Sequence, residues 1–274
     1  MTVNSYLATT ANKAIIRDAE KVSIQKSING INSKLSYYFG DNLSDQLIFG
    51  SYNRGTILPR RMDQNSDIDY MLIFNSTNVQ PQAYLDRLRR FVSKYYPSSS
   101  IAQSHPTIVL SLNHIRFELV PAINNLWSGL QIPAKASDYE DWINTDPTDF
   151  NEKLISANRD NKNLIKPLVR LVKYWNAKNG YVFDSYKLEQ EVVNHGYFFV
   201  TLFNGQLKDY FYEIMSSLDV DWNAAQWRKD KISRLHQLIE LAKQNEQQGL
   251  EERATGYIKK IMPPILLPAG LNIR

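Results

Sequence analysis

Residues 67–74 of this 274-residue chain read DIDYMLIF and place two aspartates at the start of an otherwise apolar run. An apolar run of this length predicts a buried β-strand. Residues i and i+2 of a strand point to the same side, so Asp67 and Asp69 share one face while Ile68 and Tyr70 share the other. Two carboxylates this close repel each other unless a cation compensates them. The pair therefore indicates a divalent metal site, or alternatively an edge strand with exposed charges.

A second acidic residue interrupts a second apolar segment, IRFELVPAI at residues 115–123. In a strand, Glu118 lies on the same face as Arg116, whereas Phe117 and Leu119 point the other way. A carboxylate inside an apolar strand is rare unless it is paired or bound to a metal ion. Glu118 is therefore a candidate third metal ligand, and an ion pair with Arg116 is the structural alternative.

Upstream of both segments, the strand-like sequence QLIFG at residues 46–50 runs into Gly50-Ser51. Glycine allows the backbone to approach a phosphate group closely, and a serine hydroxyl with exposed N–H groups can hold phosphate oxygens. The same dipeptide also occurs in ordinary turns. Gly50 and Ser51 are therefore phosphate-contact candidates only in combination with the acidic strands.

The character of the chain changes near residue 135, from mixed strands and helices to helical patterns alone. We predict two domains, residues 1–135 and residues 136–274, with a ligand site in the cleft between them. The first domain contains a predicted helix over residues 11–38 that is weakened around Gly30, strands over 46–50, 68–74, 107–112 and 115–123, and a helix over 81–96. The second contains helical patterns over 147–161, 166–180, 185–204 and 224–248.

Composition narrows the class of protein. The hydrophobic fraction of 43% supports a real core, and the absence of cysteine excludes disulfides and thiolate metal sites. The N-terminus lacks the pattern of a signal peptide, and no run approaches the roughly 18 apolar residues that span a bilayer. We therefore expect a cytoplasmic protein with no membrane contact. The net charge of +4 is modest for a nucleic-acid-binding surface.

The order of strand, Gly50-Ser51, loop, Asp-x-Asp strand, helix and Glu118 strand resembles the polymerase-β-like nucleotidyltransferase superfamily. The resemblance is closest to the branch of cyclic GMP-AMP synthase, 2′-5′-oligoadenylate synthetase and the bacterial CD-NTases. It rests on GSYNRGT, FELVPA and the helical segment at residues 168–193. It implies an α+β fold, in which a core of mixed sheet and helices is followed by a C-terminal helical domain.

The resemblance also implies the catalytic roles. Asp67, Asp69 and Glu118 are expected to bind two Mg²⁺ ions, with Mn²⁺ as the alternative metal. Glu118 is expected to accept the proton of the attacking hydroxyl, and Gly50 and Ser51 to contact the triphosphate. Relatives usually carry Asp as the third acid, and Glu118 reaches one methylene further, which can alter the geometry of the base and the activity.

In the helical half, the resemblance assigns phosphate contacts to Lys173 and Ser185 and base stacking to Tyr186. Without it, Ser185 and Tyr186 are a helix N-cap and a core aromatic residue. Arg170 is expected in a solvated basic stripe on the same helix as Lys173. Glu189 is expected to serve a helix end or a hinge.

The function implied by the resemblance is template-independent synthesis of cyclic di- or trinucleotide second messengers from NTPs, with pyrophosphate release, in bacterial antiphage signalling. The expected partners are ATP, GTP or pyrimidine NTPs as substrates and an effector that senses the product, and the protein is expected to be a monomer. Two alternatives stay open: a nucleotidyltransferase that makes linear oligonucleotides or modifies RNA 3′ ends or small molecules, and a catalytically silent nucleotide-binding module. The motifs do not encode the base, the ring size, the linkage or the mode of activation.

Overall fold

The computed structural model describes residues 1–75, 79–104, 106–125, 129–134 and 141–265. Its internal contacts define two compact units. The sheet unit comprises Ile16–Arg60 and Asn65–Glu152, and the helical unit comprises Met1–Ile15, Arg61–Gln64 and the chain from Lys153 onward. The predicted domain boundary between residues 135 and 136 lies outside the described residues. The division into domains 1–135 and 136–274 therefore stays a prediction.

The sheet unit is built on a mixed sheet. In the described part of the chain its strands are β1 (Leu43–Phe49), β2 (Asp67–Phe74), β3 (Ser100–Ser104), β4 (Thr107–Ser111), β5 (Arg116–Asn125), β6 (Gly129–Pro133) and β7 (Trp142–Asn144). The strand order is β1-β2-β5-β4-β3, with β6 paired to the far end of β5 and β7 paired to β6. The pair β2–β5 is parallel and the other pairs are antiparallel. The sequence predicts β1, β2, β4 and β5, whereas β3, β6 and β7 carry too few apolar side chains to be recognised.

Helices cover one face of this sheet. They are α2 (Asp18–Phe39) and α4 (Pro81–Tyr95), while the short α3 (Gly50–Arg54) follows β1 directly. The spacing of Ile24, Ile28, Ile31 and Leu35 gives α2 one apolar stripe, and all four side chains are buried in the main core. Burial of each of these side chains contributes roughly 1.5–3 kcal/mol to the stability of the fold. This stabilisation favours packing of the apolar stripe of α2 against the sheet. The opposite face of β2 and β5 carries a smaller apolar cluster that includes Met71, Ile73 and Ala122.

The predicted single helix over residues 11–38 is two helices, α1 (Val3–Lys13) and α2, and this part of the prediction is wrong. Arg17 is extended, and the break does not fall at Gly30, which lies inside a continuous α2. The reason is that Ile16 packs into the core of the sheet unit, whereas α1 belongs to the helical unit. Apolar spacing alone does not show that neighbouring side chains belong to different cores.

The helical unit assembles around α6. The remaining helices of the described chain are α5 (Asp149–Asp160), which spans the division between the units, and α6 (Ile165–Lys178), α7 (Ser185–Asn194), α8 (Phe198–Leu202), α9 (Leu207–Ser217), α10 (Gln226–Gln247) and α11 (Glu251–Ile261). Helix α6 packs against α1, α7 and α9, and α10 packs against α9 and α11. The helical pattern predicted over residues 185–204 is divided into α7 and α8 at His195–Tyr197. Among the described helices, none combines the length and apolarity needed to cross a membrane.

Candidate active site

Three acidic side chains lie on one face of the sheet. In the parallel pair β2–β5, Asp69 is in register with Glu118, and Asp67 is in register with Arg116. Along both strands these polar residues are half-buried and alternate with buried apolar residues that point into the main core. We call Asp67, Asp69 and Glu118 the acidic cluster. The strand alternation predicted from the sequence therefore places the cluster on the face opposite α2 and α4.

Arg116 contacts two members of the acidic cluster. Its Nη2 atom donates to Asp67 Oδ2 at 2.7 Å and lies 3.5 Å from Glu118 Oε1. The same atom donates to the backbone carbonyl of Asn65 at 3.0 Å. The ion pair between Arg116 and Glu118, which the sequence offered as the structural alternative, is thus present. The closer partner of the guanidinium is Asp67.

The electrostatic environment acts on Glu118. Burial, and after it the negative charges of Asp67 and Asp69, raise the pKa of this carboxyl from 4.5 to about 7. A hydrogen bond with Asp67 also favours the protonated form, while the positive charge of Arg116 opposes these effects. Among Asp67, Asp69, Glu118 and Arg116, the carboxylates therefore outnumber the guanidinium by three to one.

A glycine allows the Asp69 carboxylate to sit against the end of β1. Gly50 has a φ of +68°, and a Cβ atom at this position would lie 1.7 Å from Asp69 Oδ2. The next residue closes the turn, because the carbonyl of Ser51 accepts hydrogen bonds from the N–H groups of Thr56 and Ile57 at 2.9 and 3.0 Å. Both the backbone conformation and the space require glycine at position 50.

In the helical unit, the predicted phosphate contact Lys173 is paired with a buried acid. Its Nζ atom lies 3.8 Å from Glu189 Oε2, and the two side chains are 11% and 1% exposed. Glu189 lies within α7, so its predicted place at a helix end is wrong, and its role at a hinge stays a prediction. The signal was present in the sequence, since the apolar residues Leu188, Val192 and Val193 put Glu189 on the inward face of the helix.

The other predicted contacts lie at the start of α7. Ser185 is the first helical residue, but the N-cap is Asp184, whose side chain accepts hydrogen bonds from the N–H groups of Tyr186 and Lys187. Ser185 is half-buried, and Tyr186 is 47% exposed and not a core aromatic residue. Ser185 stands one helical turn before Glu189, so both belong to the α7 surface that faces α6.

Arg170 departs from its predicted place in a solvated stripe. Its side chain is buried, and burial lowers the pKa of its guanidinium to about 10. The physical reason is that α6 is covered by α1, α7 and α9, so a helix that is amphipathic in sequence has little solvated surface left.

The loop between α6 and α7 is held from two sides. Helix α6 ends at Lys178, and Gly180 follows with a φ of +79°. The amide of buried Asn176 bonds both the N–H and the carbonyl of Phe183. The hydroxyl of Tyr181, a residue with a φ of +59°, donates to Asp63 Oδ1. These contacts fix the backbone that leads to Ser185.

The donors suit a hard divalent cation by chemical type. Carboxylate oxygens are the ligands that Mg²⁺ prefers, and a cation would relieve the repulsion that raises the pKa of Glu118. Within the described ranges, no group of three or more His, Cys, Asp or Glu side chains is already arranged as a metal-ion site. In this conformation Asp67 and Glu118 are instead directed at Arg116.

The predicted site residues fall into two sets. The structure brings the acidic cluster together with Gly50 and Ser51 in the sheet unit. Lys173, Ser185 and Tyr186 lie in the helical unit. Their assembly into one nucleotide site, and each residue's role there, stay predictions.

A mixed sheet with an acidic face beside a glycine turn, followed by helices, defines the class as a polymerase-β-like nucleotidyltransferase fold. The model of the SMODS family, the Second Messenger Oligonucleotide or Dinucleotide Synthetase domain, matches residues 1–158. Because this match covers more than half of the chain, the protein belongs to the SMODS family. The predicted family and the predicted α+β fold class are confirmed.

Individual relatives agree with this family. The chain is 28% identical over 135 residues to the cyclic AMP-AMP-AMP synthase of Acinetobacter sp. (strain ATCC 27244 / 9458), a match covering 47% of this chain and 38% of that protein. It is 24% identical over 268 residues to a probable cyclic nucleotide synthase of Bacillus cereus (strain VD146), covering 78% and 79% of the two chains. The structure of CdnC from E. coli MS115-1 with ATP superposes with a TM-score of 0.66 at 15% identity, covering 96% of this chain and 98% of that one, and shows the same fold.

Proposed function

We propose that this protein is a template-independent nucleotidyltransferase that joins NTPs into a cyclic di- or trinucleotide second messenger and releases pyrophosphate. The observation that carries the proposal is the acidic cluster, whose three carboxylates come from adjacent parallel strands beside Gly50 in a chain of the SMODS family. Carboxylates concentrated in this way serve phosphoryl transfer, where positioning and charge stabilisation do most of the work.

The acidic cluster supplies the metal ligands in this proposal. Asp67, Asp69 and Glu118 would hold two Mg²⁺ ions, with Mn²⁺ as a substitute. Bound metal neutralises charge on the phosphates and lowers the pKa of the acceptor hydroxyl. Glu118 takes up the hydroxyl proton. Gly50 leaves room for the Asp69 carboxylate, and Ser51 follows it in the turn that contacts the triphosphate.

The helical unit supplies the remaining nucleotide contacts. Lys173 binds phosphate oxygens, and Glu189 keeps its ammonium group in place. Ser185 donates its hydroxyl to the terminal phosphate from the start of α7. Tyr186, with 47% of its surface exposed, stacks on the nucleobase. These roles require the two sets of residues to face one nucleotide, as the sequence prediction of a cleft site states.

Cyclisation follows from a second reaction at the same site. In the first transfer a hydroxyl of one NTP attacks the α-phosphorus of another, pyrophosphate leaves, and a linear dinucleotide with a 5′-triphosphate remains. This intermediate turns over, its free hydroxyl attacks the α-phosphorus of its own triphosphate, and a second pyrophosphate leaves. The product is a diffusible signal for a downstream effector, and the setting we propose is antiphage signalling in the bacterial cytoplasm by a monomeric enzyme. The substrates are ATP, with GTP or pyrimidine NTPs as the other candidates.

The test is turnover without an added acceptor. Purified protein is incubated with all four NTPs and Mg²⁺, pyrophosphate release is measured, and the product is identified by mass spectrometry. We expect a product that resists phosphatase because it has no terminal phosphate. The variants Asp67→Asn and Asp69→Asn should each lower turnover at least ~100-fold, while the exposed Asp230→Asn on α10 should leave turnover unchanged.

Two outcomes favour the alternatives. Dependence on added RNA or on a small-molecule acceptor, with a phosphatase-sensitive product, supports a linear or acceptor-modifying nucleotidyltransferase. Binding of NTPs without pyrophosphate release, equal in the wild type and in Asp67→Asn, supports a silent nucleotide-binding module.

A further inference from the structure

We propose that Arg116 is a positioning residue that serves as the resident counter-ion of the acidic cluster and competes with divalent cations for it. The proposal rests on the proposed function, because it assigns the metal ions to the acidic cluster. It adds that the Arg116 guanidinium contacts the acidic cluster when no metal is bound. An incoming metal ion must therefore displace the guanidinium from Asp67.

The backbone of β5 places Arg116 beside the acidic cluster. Arg116 begins β5, and its Cα pairs in register with that of Asp67 on the neighbouring parallel strand. The strand pleat therefore points both side chains to the same face, and the guanidinium reaches Asp67 Oδ2 at 2.7 Å. Its bond to the carbonyl of Asn65, in the segment that leads into β2, holds the end of the side chain over the acids.

Within the acidic cluster and Arg116, the negative charges outnumber the positive charge. With all groups ionised, three carboxylates and one guanidinium sum to a net charge of −2 (three negative charges less one positive). The side chains of Arg116, Asp67 and Glu118 are 28%, 25% and 25% exposed, so solvent screens their interaction only in part. Removing the guanidinium should therefore increase the attraction of the cluster for a divalent ion.

The competition has a consequence for substrate choice. A guanidinium that occupies Asp67 Oδ2 lowers the affinity of the cluster for a free metal ion. A metal ion that arrives with a triphosphate brings additional ligands and binding contacts, so it can displace the guanidinium where the free ion does not. Arg116 thus favours loading of the metal together with its nucleotide.

The experiment measures metal binding without nucleotide. Binding of Mn²⁺ alone is followed by electron paramagnetic resonance, and thermal unfolding is recorded over a series of Mn²⁺ concentrations. The variants are Arg116→Gln and Arg116→Met, which remove the charge, and Arg116→Lys, which keeps it. The control is Arg89→Gln on α4, whose arginine pairs with Asp86 at 3.9 Å outside the cluster.

We expect Arg116→Gln and Arg116→Met to bind Mn²⁺ about tenfold more tightly than the wild type, and Arg116→Lys and Arg89→Gln to stay close to it. The two neutral variants should unfold at a lower temperature without metal, and saturating Mn²⁺ should remove that difference. A merely structural Arg116 cannot produce tighter metal binding.

Unchanged or weaker Mn²⁺ binding in both neutral variants overturns the proposal. So does an unfolding-temperature deficit that is equal with and without Mn²⁺. Arg116→Met retains the aliphatic stem of the side chain, so it tests the proposal even if Arg116→Gln does not fold. No arm requires NTP turnover, so a failure of the proposed synthase activity is recognised separately, by absent pyrophosphate release in the wild type.

Discussion

The acidic cluster and the Lys173–Glu189 pair both hold charged side chains partly or fully away from solvent, but they differ in arrangement. In the sheet unit, Arg116 contacts two of the three clustered carboxylates, and Arg116, Asp67 and Glu118 keep about a quarter of their side-chain surface exposed. In the helical unit, the Lys173 ammonium lies beside the Glu189 carboxylate, and the pair is almost completely buried. The first arrangement groups like charges and is partly open to solvent, whereas the second is an ion pair closed off from solvent.

This difference teaches which substitutions should cost stability and which should cost activity. Like charges held together reduce stability, so neutralising a member of the acidic cluster should leave the fold intact or stabilise it. A balanced buried pair leaves an uncompensated charge when one partner is removed. The three predictions below test that division from the largest expected effect to the smallest.

The largest effect is expected in the helical unit. Glu189→Ala leaves the Lys173 ammonium buried without its partner, and the free energy of unfolding should fall by about 3–5 kcal/mol. Chemical denaturation measures this value. The double variant Lys173→Met/Glu189→Leu should recover most of the loss, because it removes both charges and keeps apolar volume.

The matched substitution in the sheet unit is Glu118→Gln, for which we expect no loss of stability. If Glu189→Ala and Glu118→Gln change the free energy of unfolding equally, the two regions do not differ as described.

The second effect concerns activity. In Gly50→Ala the new methyl group meets the Asp69 carboxylate, so the acid must move, and turnover should fall about 100-fold, equivalent to about 2.7 kcal/mol. Steady-state pyrophosphate release measures it. The control is Gly55→Ala, since Gly55 also has a positive φ of +71° but has nothing within 4 Å of an added Cβ.

Gly55→Ala therefore carries the backbone strain without the collision. Similar turnover in the two alanine variants would show that strain in the turn, and not the contact with Asp69, determines the effect.

The smallest effect is a pH dependence of stability in EDTA. The pKa of Glu118 is about 7 in the folded protein against 4.5 as reference, so the folded state holds this proton more tightly than the unfolded chain does. The free energy of unfolding is then highest below the reference pKa and falls as the pH rises through the folded pKa. After allowance for solvent screening, we expect a fall of about 1–2 kcal/mol across this range.

Thermal unfolding in metal-free buffers between these two pKa values checks the slope. Glu118→Gln should flatten it, whereas Glu240→Gln, which removes an exposed carboxylate on α10, should not. An equal slope in Glu118→Gln and the wild type would assign the pH dependence to other groups.

The acidic face was predictable because strand alternation is a local rule. The positions of Asp67, Asp69 and Glu118 follow from period-two patterning, and the parallel register then makes Asp69 and Glu118 neighbours. The ion-pair partner of Arg116 was less predictable. The sequence pattern suggested Glu118 as the partner, whereas the strand register brings Arg116 closest to Asp67. Side-chain pairing across strands needs the register, which the sequence does not state.

The environment of the helical residues was harder to predict, because the apolar pattern of a helix does not show which other helices pack against it. Arg170 and Glu189 lie on helices whose second faces are also packed, so polar residues that looked solvated or terminal are internal. The place of the segment Arg61–Gln64 in the helical unit was also not predictable. This short segment belongs to that unit through contacts with residues that are distant in sequence. Such contacts are tertiary and leave no periodic trace.

The parallel pairing of β2 with β5 also bears on how the protein is made. Asp67 and Arg116 stand 49 positions apart, and the strands that carry them can pair only after α4 and the hairpin β3–β4 have been synthesised. Pairings between such distant segments form late in folding. A nascent or truncated chain that ends before β5 holds Asp67 and Asp69 but lacks both Glu118 and Arg116, so the acidic cluster is complete only after β5 has been synthesised.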